Sequence, residues 1–456
     1  MDGSKKSFPR RQDEGDGMSV VETETVVFEA LQQQLGGAVP SWVQARREQG
    51  MARFAAMGLP SPKQEAWKYT NVSRIEKTRF SLAADLDPEI SPSDLKPATI
   101  QRDAAAELVF VNGHYSERLS IVRDLPASAR VVDLRDALVD PIVEANLGRL
   151  ASSESHPFVA LNEAFLRDGA FISIPDGVSI EKPIHLLFLS TAEGEPILSS
   201  PRILVVAGSN SRLTLVESWK GLGGTSFNNV VVEIKAGDNA IIDHYKLQQE
   251  APSSFHIAVT HQVQGRSSSY FNHLFTTGGG MARNEIHSVL DGEGGESLLD
   301  GLYLLDGDQH LDNQTLIDHA KPHCTSRELY KGILDGTSRG VFEGRIIVRP
   351  DAQKTNAKQT NNNLILSREA IANSTPQLEI YADDVKCAHG STIGRLDETA
   401  MFYLRSRGLD ERQARDILTW GFASEIVTRV RVAAIRERLE QYLLTRLPVP
   451  EKKEVS

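Results

Sequence analysis

The sequence predicts a mainly β protein with a β-helix core that is flanked by an N-terminal and a C-terminal helical region. Short runs of β-branched and aromatic residues recur from about residue 170, as in Phe171–Ile174 and Val230–Ile234. Glycine and proline turn signals separate these runs at a step of about 14 residues, so that two steps span about 28. On either side of this region, apolar residues recur at the spacing of amphipathic helices.

Evenly spaced strands fit either a meandering sandwich or a solenoid of stacked coils. A sandwich closes after about seven to nine strands, whereas this pattern supplies at least eleven. The spacing therefore favours the solenoid. We expect the asparagine-rich tract Thr360–Asn363 to lie at tight coil corners, because asparagine tolerates left-handed backbone; a plain polar loop is the alternative.

Four regions follow from these patterns. Residues 1–20 have no apolar core and are predicted to be a disordered tail. Residues 21–155 form a helical or mixed N-terminal domain, in which 24–58 reads as helix, and residues 156–395 form the β-helix core. Residues 396–456 form a C-terminal helical domain.

The C-terminal region predicts two or three amphipathic helices after residue 397. We expect breaks between them at Gly408 and Gly421. Asp410 is placed to cap the helix that carries Ala414 and Leu418.

Bulk properties exclude several classes of protein. A net charge of −11 over 456 residues argues against a general nucleic-acid binder, which needs a basic surface. Cys324 and Cys387 are the two cysteines, too few for a disulfide framework, so a reducing compartment is expected. No apolar run is long enough to cross a bilayer, and the first 17 residues do not resemble a secretory signal. We expect a cytoplasmic protein that is not attached to a membrane.

The common enzymatic motifs are missing from the sequence. It contains no P-loop, no G-x-S-x-G elbow and no H-E-x-x-H, so we expect neither catalysis nor nucleotide binding by this chain. The run Gly278–Gly280 lacks the strand-to-helix context of a phosphate cradle and is interpreted as a coil corner.

Cys387 and His389 are the first candidate metal ligands. On a strand, residues i and i+2 point to the same face, so the thiolate and the imidazole can act on one metal ion. The alternative is a packed thiol beside a surface histidine.

Two further groups contain metal-binding or acidic side chains. His319 and His323, which precedes Cys324, have the i, i+4 spacing that converges on a helix, but Pro322 argues against a helix, and in a strand or turn His323 and Cys324 diverge. Asp383 and Asp384 are adjacent, so on a strand they point to opposite faces and cannot serve as the paired carboxylates of a glycosidase. A solvated position at a coil edge is favoured for them.

Ligand counting adds a constraint. An iron–sulfur cluster takes about four protein ligands, mostly thiolates, and this chain has two cysteines 63 positions apart. If the chain handles iron or sulfide, a partner must supply the remaining ligands.

Specific sequence blocks then resemble a known family. They are Thr325–Ile333, Gly340–Arg345, Ala352–Ala357, Gln359–Leu364, Pro376–Ile380, Asp383–Thr392 and Phe402–Gly408, together with Glu65–Thr70 near the N-terminus. These blocks resemble the SufB/SufD family of iron–sulfur cluster assembly proteins. The forms Glu-x-Trp-Lys-Tyr-Thr and Cys-x-His-Gly resemble its SufD branch.

The resemblance implies a right-handed parallel β-helix with helical domains on either side. It implies a complex with a SufB-like subunit, paired through the β-helices, and with SufC-like ABC-type ATPase subunits that dock on the C-terminal helices. A cysteine desulfurase system would act on the complex indirectly. By its place in the motif, His389 is implied to bind iron or a transient cluster shared with the SufB-like subunit, with Cys387 as an auxiliary or structural residue.

Two other functions are alternatives to this one. A carbohydrate-active β-helix enzyme would need paired carboxylates on one face and an exported chain, and the sequence shows neither. A SufB-type chain is the second alternative, but such a chain should offer more cysteines and hold a cluster by itself.

Overall fold

The structure is a computed structural model that describes residues 28–29, 39–82, 90–192 and 194–447. Strands hold 43% of the described residues and helices 22%, which confirms the mainly β prediction. The core is a parallel β-solenoid of about eight turns with helices on both sides, as the spacing predicted. The predicted tail at residues 1–20 lies outside the described residues, as do 24–27 and 30–38 of the predicted N-terminal helix.

Most helices lie before or after one long run of strands, which extends from β5, beginning at Gly169, to β21, ending at Gly394. The helices are α1 Ser41–Met57, α2 Ser73–Lys77, α3 Pro92–Leu95, α4 Leu134–Ala137, α5 Pro141–Asn146, α6 Pro157–Ala164, α7 Glu398–Ser406, α8 Glu411–Val427 and α9 Ala433–Arg446, with a 3₁₀ turn at Glu65–Trp67. The strands are β1 Ser81–Leu82, β2 Ala106–Val111, β3 His114–Val122, β4 Arg130–Asp133, β5 Gly169–Ile174, β6 Ile184–Thr191, β7 Ile197–Ser199, β8 Arg202–Ala207, β9 Arg212–Gly223, β10 Ser226–Ala236, β11 Ile241–Gln249, β12 Phe255–Gln264, β13 Ser269–Thr276, β14 Met281–Leu290, β15 Glu296–Leu305, β16 His310–His319, β17 Thr325–Leu334, β18 Arg339–Val348, β19 Asn356–Ile365, β20 Ile371–Ile380 and β21 Lys386–Gly394.

Successive strands of the solenoid go alternately to two facing sheets. Sheet A contains β20-β18-β16-β14-β12-β10-β8-β5-β4, and sheet B contains β21-β19-β17-β15-β13-β11-β9-β6-β2-β3. From β5 and β6 onwards the pairs are parallel and in register, with Phe227 beside Phe255 and Thr325 beside Asn356. One coil therefore takes about 28 to 31 residues, twice the step in the sequence.

The space enclosed between the two sheets, here called the lumen, holds the main core. Alternate strand residues face the lumen, and stacking in register places equivalent positions of successive coils beside one another. Val230 thus lies beside Ala258, and Val232 lies beside Ile203. Burial of these aliphatic side chains supplies the main driving force for stacking the coils.

Left-handed backbone marks one row of coil corners. Asn210, Asn239, Ser267, His323 and Lys354 have φ between 54° and 63° and recur at about one coil length. The Asn361–Asn363 tract is not at a corner, and that prediction was wrong. It lies in β19, where Asn361 and Asn363 are buried in the lumen and joined by a 2.6 Å hydrogen bond.

The N-terminal segment packs on the outer face of sheet A. Trp67 lies 3.9 Å from the guanidinium of Arg283, measured to the ring centroid, and Thr70 Oγ1 donates a 2.6 Å hydrogen bond to Asp312. Arg283 also pairs with Asp312. The Glu65–Thr70 block therefore anchors the N-terminal segment to two neighbouring coils.

The C-terminal helices α8 and α9 pack on the outer face of sheet B. Asp410 caps α8 in a capping box with Gln413, as predicted, and Gly408 with φ of 92° separates α7 from α8. Gly421 does not break a helix, because it lies within α8. The low helix propensity of glycine was given too much weight in the prediction. A glycine inside a helix costs about 1 kcal/mol, and the packing of α8 against the sheet offsets this cost.

Candidate functional site

The last coil of the solenoid has no strand stacked on it. Among the described residues, β20 pairs only with β18 and β21 only with β19. Almost every residue of β21 is exposed, whereas β19 alternates between buried and exposed positions. The backbone N–H and C=O groups on the outer side of both strands are therefore open to pairing.

Cys387 and His389 lie on β21 and face the same way. In the parallel register, Cys387 is beside Ala357 and His389 is beside Gln359, and both neighbours are buried in the lumen. The two candidate ligands therefore project on the lumen side of the last coil, with their Cα atoms about 7 Å apart. The structure brings them together as the sequence spacing predicted.

The two residues differ in environment. Cys387 is half-buried and packs against the edge of the lumen core, while His389 is exposed. Burial raises the pKa of the Cys387 thiol, and the backbone of Ala357 partly offsets this effect. The thiol is therefore protonated at neutral pH and would have to lose its proton in order to bind a metal ion.

The end of the lumen bounded by β20 and β21, here called the mouth, has a partly apolar rim. Ile371, Ile380, Tyr381 and Ile393 are all exposed there, with Tyr381 61% accessible and Ile393 54%. Ser391 Oγ donates a 2.7 Å hydrogen bond to Ser374 Oγ and so ties β21 to β20 across the mouth. Exposed apolar side chains beside an unpaired edge are typical of an interaction surface.

The described residues do not supply a complete metal site. Within them, no group of three His, Cys, Asp or Glu side chains lies close enough to hold a metal ion. Cys387 and His389 offer two donors, fewer than the roughly four protein ligands that an iron–sulfur cluster commonly takes.

The second candidate group does not converge. His319 ends β16, is buried, and makes a 2.8 Å hydrogen bond with Ser326, whereas His323 is exposed in a left-handed corner. Cys324 is buried in the lumen, where its thiol contacts the carbonyl oxygen of Gly292 at 3.3 Å. Its pKa is raised, chiefly by burial.

Asp383 and Asp384 lie in the turn between β20 and β21 and not on a strand. Both are exposed, and Asp384 pairs with Lys354 of the previous coil. The favoured coil-edge position is therefore correct, although the argument from alternating strand faces does not apply to a turn.

A buried polar cluster in the middle coils was missed from the sequence. His244 lies 2.7 Å from Glu217, and Lys246 Nζ lies 2.9 Å from a ring nitrogen of His256, which in turn contacts Glu250. Burial lowers the pKa of Lys246 to about 8. Applying the 28–31-residue coil period to polar residues would have found it, since Lys246 lies in register beside Glu217.

In the described ranges, none of the helices combines the length and the apolar character that crossing a bilayer requires.

Comparisons with known proteins show which family the chain belongs to. The family model described as the SufBD core domain of SUF-system FeS cluster assembly matches residues 188–422. The model of the SufBD protein N-terminal region matches residues 19–186. The two matches together span the N-terminal segment, the solenoid and α7 with most of α8.

Individual relatives give the same result. An iron–sulfur cluster assembly SufBD family protein of Synechocystis is 32% identical over 428 residues, covering 91% of this chain and 94% of that protein. The iron–sulfur cluster assembly protein SufD of Escherichia coli is 31% identical over 412 residues, covering 88% and 92%. The protein named SufD in Bacillus subtilis is 23% identical over 415 residues, covering 88% and 93%. The resemblance found in the sequence is thereby confirmed, and the chain belongs to the SufB/SufD family of iron–sulfur cluster assembly proteins.

Proposed function

We propose that this chain is a non-catalytic scaffold subunit of a SufBCD-type complex in the cytoplasm. It pairs through its last coil with a SufB-like subunit and contributes His389, with Cys387 as an auxiliary ligand, to a nascent cluster at the shared interface. The observation that carries this proposal is the open last coil, because both candidate ligands lie on its unpaired edge strand β21.

Edge pairing is the first step of the argument. Long exposed edges invite association, and proteins normally cover, shorten or charge them. Here β20 and β21 are 10 and 9 residues long and carry Ile380 and Ile393 exposed. A partner solenoid with the same coil spacing would satisfy the open backbone groups and bury these side chains.

Ligand completion is the second step. Cluster iron and sulfide are the cargo, and two donors on this chain leave a coordination sphere that a partner must complete. A site shared between subunits can be opened when the subunits separate, which suits a scaffold that must release its cluster. We assign no nucleotide site to this chain, since its sequence contains no P-loop.

The C-terminal helices supply a docking surface for the SufC-like ATPase. Phe402 and Tyr403 of α7 are 73% and 56% exposed, which is unusual for aromatic side chains unless a partner covers them. The sulfur supplied by a cysteine desulfurase would reach the complex through the other subunits.

Movement of these helices would act on the solenoid directly. Lys331 of β17 pairs with Glu425 of α8 at 2.5 Å, and Asp300 of β15 pairs with Arg429 at 3.1 Å. Strand β17 is separated from the edge strand β21 only by β19. A force applied to α8 by the ATPase is therefore passed to strands close to the mouth.

The test is co-expression with SufB-like and SufC-like subunits, followed by anaerobic purification and measurement of cluster absorbance and transfer to an apo-protein. We expect His389→Ala to leave the complex assembled but to abolish cluster maturation. His323→Asn is the matched control, because His323 is also exposed, and asparagine accepts its left-handed backbone.

Two results would contradict the proposal. One is unchanged maturation in the complex with His389→Ala. The other is a chain that stays monomeric in the presence of the SufB-like subunit. A stable 4Fe–4S spectrum on the isolated chain would favour a SufB-type function instead.

A further inference from the structure

A column of three polar residues leads from the buried lumen to the mouth. Glu328 of β17, Gln359 of β19 and His389 of β21 occupy the same register position on three successive coils of sheet B. Glu328 and Gln359 are almost fully buried, with 2% and 0% of their surface accessible. His389 is the exposed end of this column.

Within the column, the side chain of Gln359 is hydrogen-bonded to Glu328 but to nothing on the side of His389. Gln359 Nε2 donates a 2.7 Å hydrogen bond to Glu328 Oε2, on the coil before it. Gln359 Oε1 is buried and has no hydrogen-bond partner among the described residues. The oxygen and nitrogen of a planar amide point away from each other, so an Nε2 bonded to the previous coil leaves Oε1 on the side of the next one.

The fold makes room for this amide. Gly344 of β18 faces Gln359 across the lumen, and a Cβ atom at that position would collide with Gln359 Nε2 and with Phe342. A residue with a side chain at 344 would therefore displace the amide. The column therefore requires glycine at position 344, because the backbone of β18 passes close to the Gln359 side chain.

A buried acceptor without a donor costs free energy unless it finds a partner. In-register side chains on neighbouring parallel strands lie about 5 Å apart, and the imidazole next to Gln359 carries an N–H whenever it is neutral. His389 is thus the nearest residue along the column that can satisfy Gln359 Oε1.

We propose that Gln359 and Glu328 are positioning residues for His389. Gln359 Oε1 accepts the ring N–H of His389, and Glu328 holds the Gln359 amide in the orientation that allows it. The hydrogen bond fixes one tautomer, so that the other ring nitrogen presents its lone pair to the iron that the partner subunit helps to bind. Histidine ligands of metals commonly have such a partner behind them. The structure does not contain this hydrogen bond, which forms when the exposed imidazole of His389 turns towards Gln359. Its purpose rests on the proposed function, but the test of its formation does not.

The decisive measurement is made on the full chain labelled with ¹⁵N-histidine. An exposed ring N–H exchanges with water too fast to give a signal near neutral pH, whereas a hydrogen-bonded one is retained. We expect one ring N–H resonance that disappears in His389→Ala, which assigns it. Gln359→Leu should also remove it, and Gln359→Glu, which keeps an acceptor oxygen, should retain it.

Gln262→Leu is the matched control. Gln262 is also a buried glutamine that faces the lumen and has one amide atom without a partner. It lies on β12, however, which is four coils before β20 in sheet A and therefore far from the mouth. We expect it to leave the His389 resonance unchanged. Absence of the resonance in the unmodified chain, or its persistence in Gln359→Leu, would overturn the hydrogen bond.

Cluster maturation separates this inference from the proposed function. In the assembled complex, Gln359→Leu should lower the rate of cluster formation by about tenfold or more, and Gln359→Glu should restore most of it. If Gln359→Leu removes the resonance without slowing maturation while His389→Ala stops it, the positioning role is wrong and the scaffold function stands. If His389→Ala has no effect, the scaffold function fails, and the resonance still decides whether the hydrogen bond forms.

Discussion

The two ends of the solenoid are built from the same kind of coil but are finished differently. At the N-terminal end, β3 runs antiparallel to β2 and β4 runs antiparallel to β5, so each sheet ends in a strand that reverses direction. At the C-terminal end, β20 and β21 continue the parallel pattern and stop. One end is closed by its own chain, and the other is left as a template for pairing.

The contents of the lumen differ in the same way. Near the N-terminal end, Phe110, Phe188 and Trp219 stack face to face, with ring centroids 4.7 Å and 3.9 Å apart. Near the C-terminal end the lumen holds Gln359, Asn361 and Asn363 and opens beside His389. The stacked rings, here called the aromatic plug, fill the lumen near the N-terminal end, whereas near the C-terminal end buried polar side chains lead to the exposed His389.

This difference explains why the open end is not a folding defect. A solenoid that needed only stability would repeat the N-terminal solution at both ends, since terminal coils require caps. Keeping the lumen side chains of the last coil exposed leaves apolar surface uncovered in the isolated chain, which a partner would bury. Four experiments break or sharpen the comparison.

Removing the aromatic plug should give the largest effect. Trp219→Ala deletes the ring at one end of the stack, the one that lies 3.9 Å from Phe188, and leaves Glu217 without the 3.1 Å hydrogen bond from the indole. We expect the free energy of unfolding to fall by about 3–5 kcal/mol. The counterpart at the open end, Ile393→Ala, should change it by less than about 0.5 kcal/mol. Urea denaturation of the isolated chains measures both, and equal losses at the two ends would refute the distinction.

A charge at the mouth should break pairing without unfolding the chain. Ile393→Asp places a carboxylate where the proposed partner would bury it, which costs about 2–3 kcal/mol, or roughly 30- to 150-fold in Kd. Sedimentation or surface-binding measurements with the SufB-like subunit check this value. Val139→Asp is the control, because Val139 is 78% exposed and lies between α4 and α5. Equal weakening by both substitutions would place the interface elsewhere.

Glu328 in the polar column should give a pH-dependent effect. Burial, with a smaller contribution from Asp300, raises its pKa to about 7 from an ordinary value of 4.5. The folded chain therefore binds this proton more tightly than the unfolded chain, so its contribution to stability is lost as the pH rises from 4.5 to 7. Glu328→Gln has no such proton and keeps an acceptor for Gln359. Relative to the unmodified chain, its stability should increase by roughly 2–3 kcal/mol between pH 4.5 and pH 8. Paired denaturation curves at the two pH values test this, and a parallel pH dependence in both chains would contradict it.

The sequence predicted those features that depend on local periodicity. The strand step gave the coil length, Asp410 gave the start of α8, and the i, i+2 spacing placed Cys387 and His389 on one face. Each of these follows from residues within a few positions of one another.

The features that it missed depend on register between coils. Asn361 and Asn363 were assigned to corners because asparagine tolerates left-handed backbone, yet stacking puts them in the lumen, where they bond to each other and to Tyr303. Gln359 was recognised only as part of a family block. Its place above Glu328 and below His389 needs the 30- or 31-residue offset between strands, which no single strand displays.

The two cysteines give the smallest and most local test of the comparison. Cys324 is sealed within the solenoid, whereas Cys387 is half-buried at the mouth, and burial raises the pKa of both thiols. Access then decides their reactivity, so iodoacetamide at alkaline pH should modify Cys387 about tenfold faster than Cys324. Adding the SufB-like subunit should slow the reaction of Cys387 and leave that of Cys324 unchanged, as peptide mass spectrometry would show. If the partner protects neither thiol, it does not cover the mouth, and the open end of the solenoid must serve a different contact.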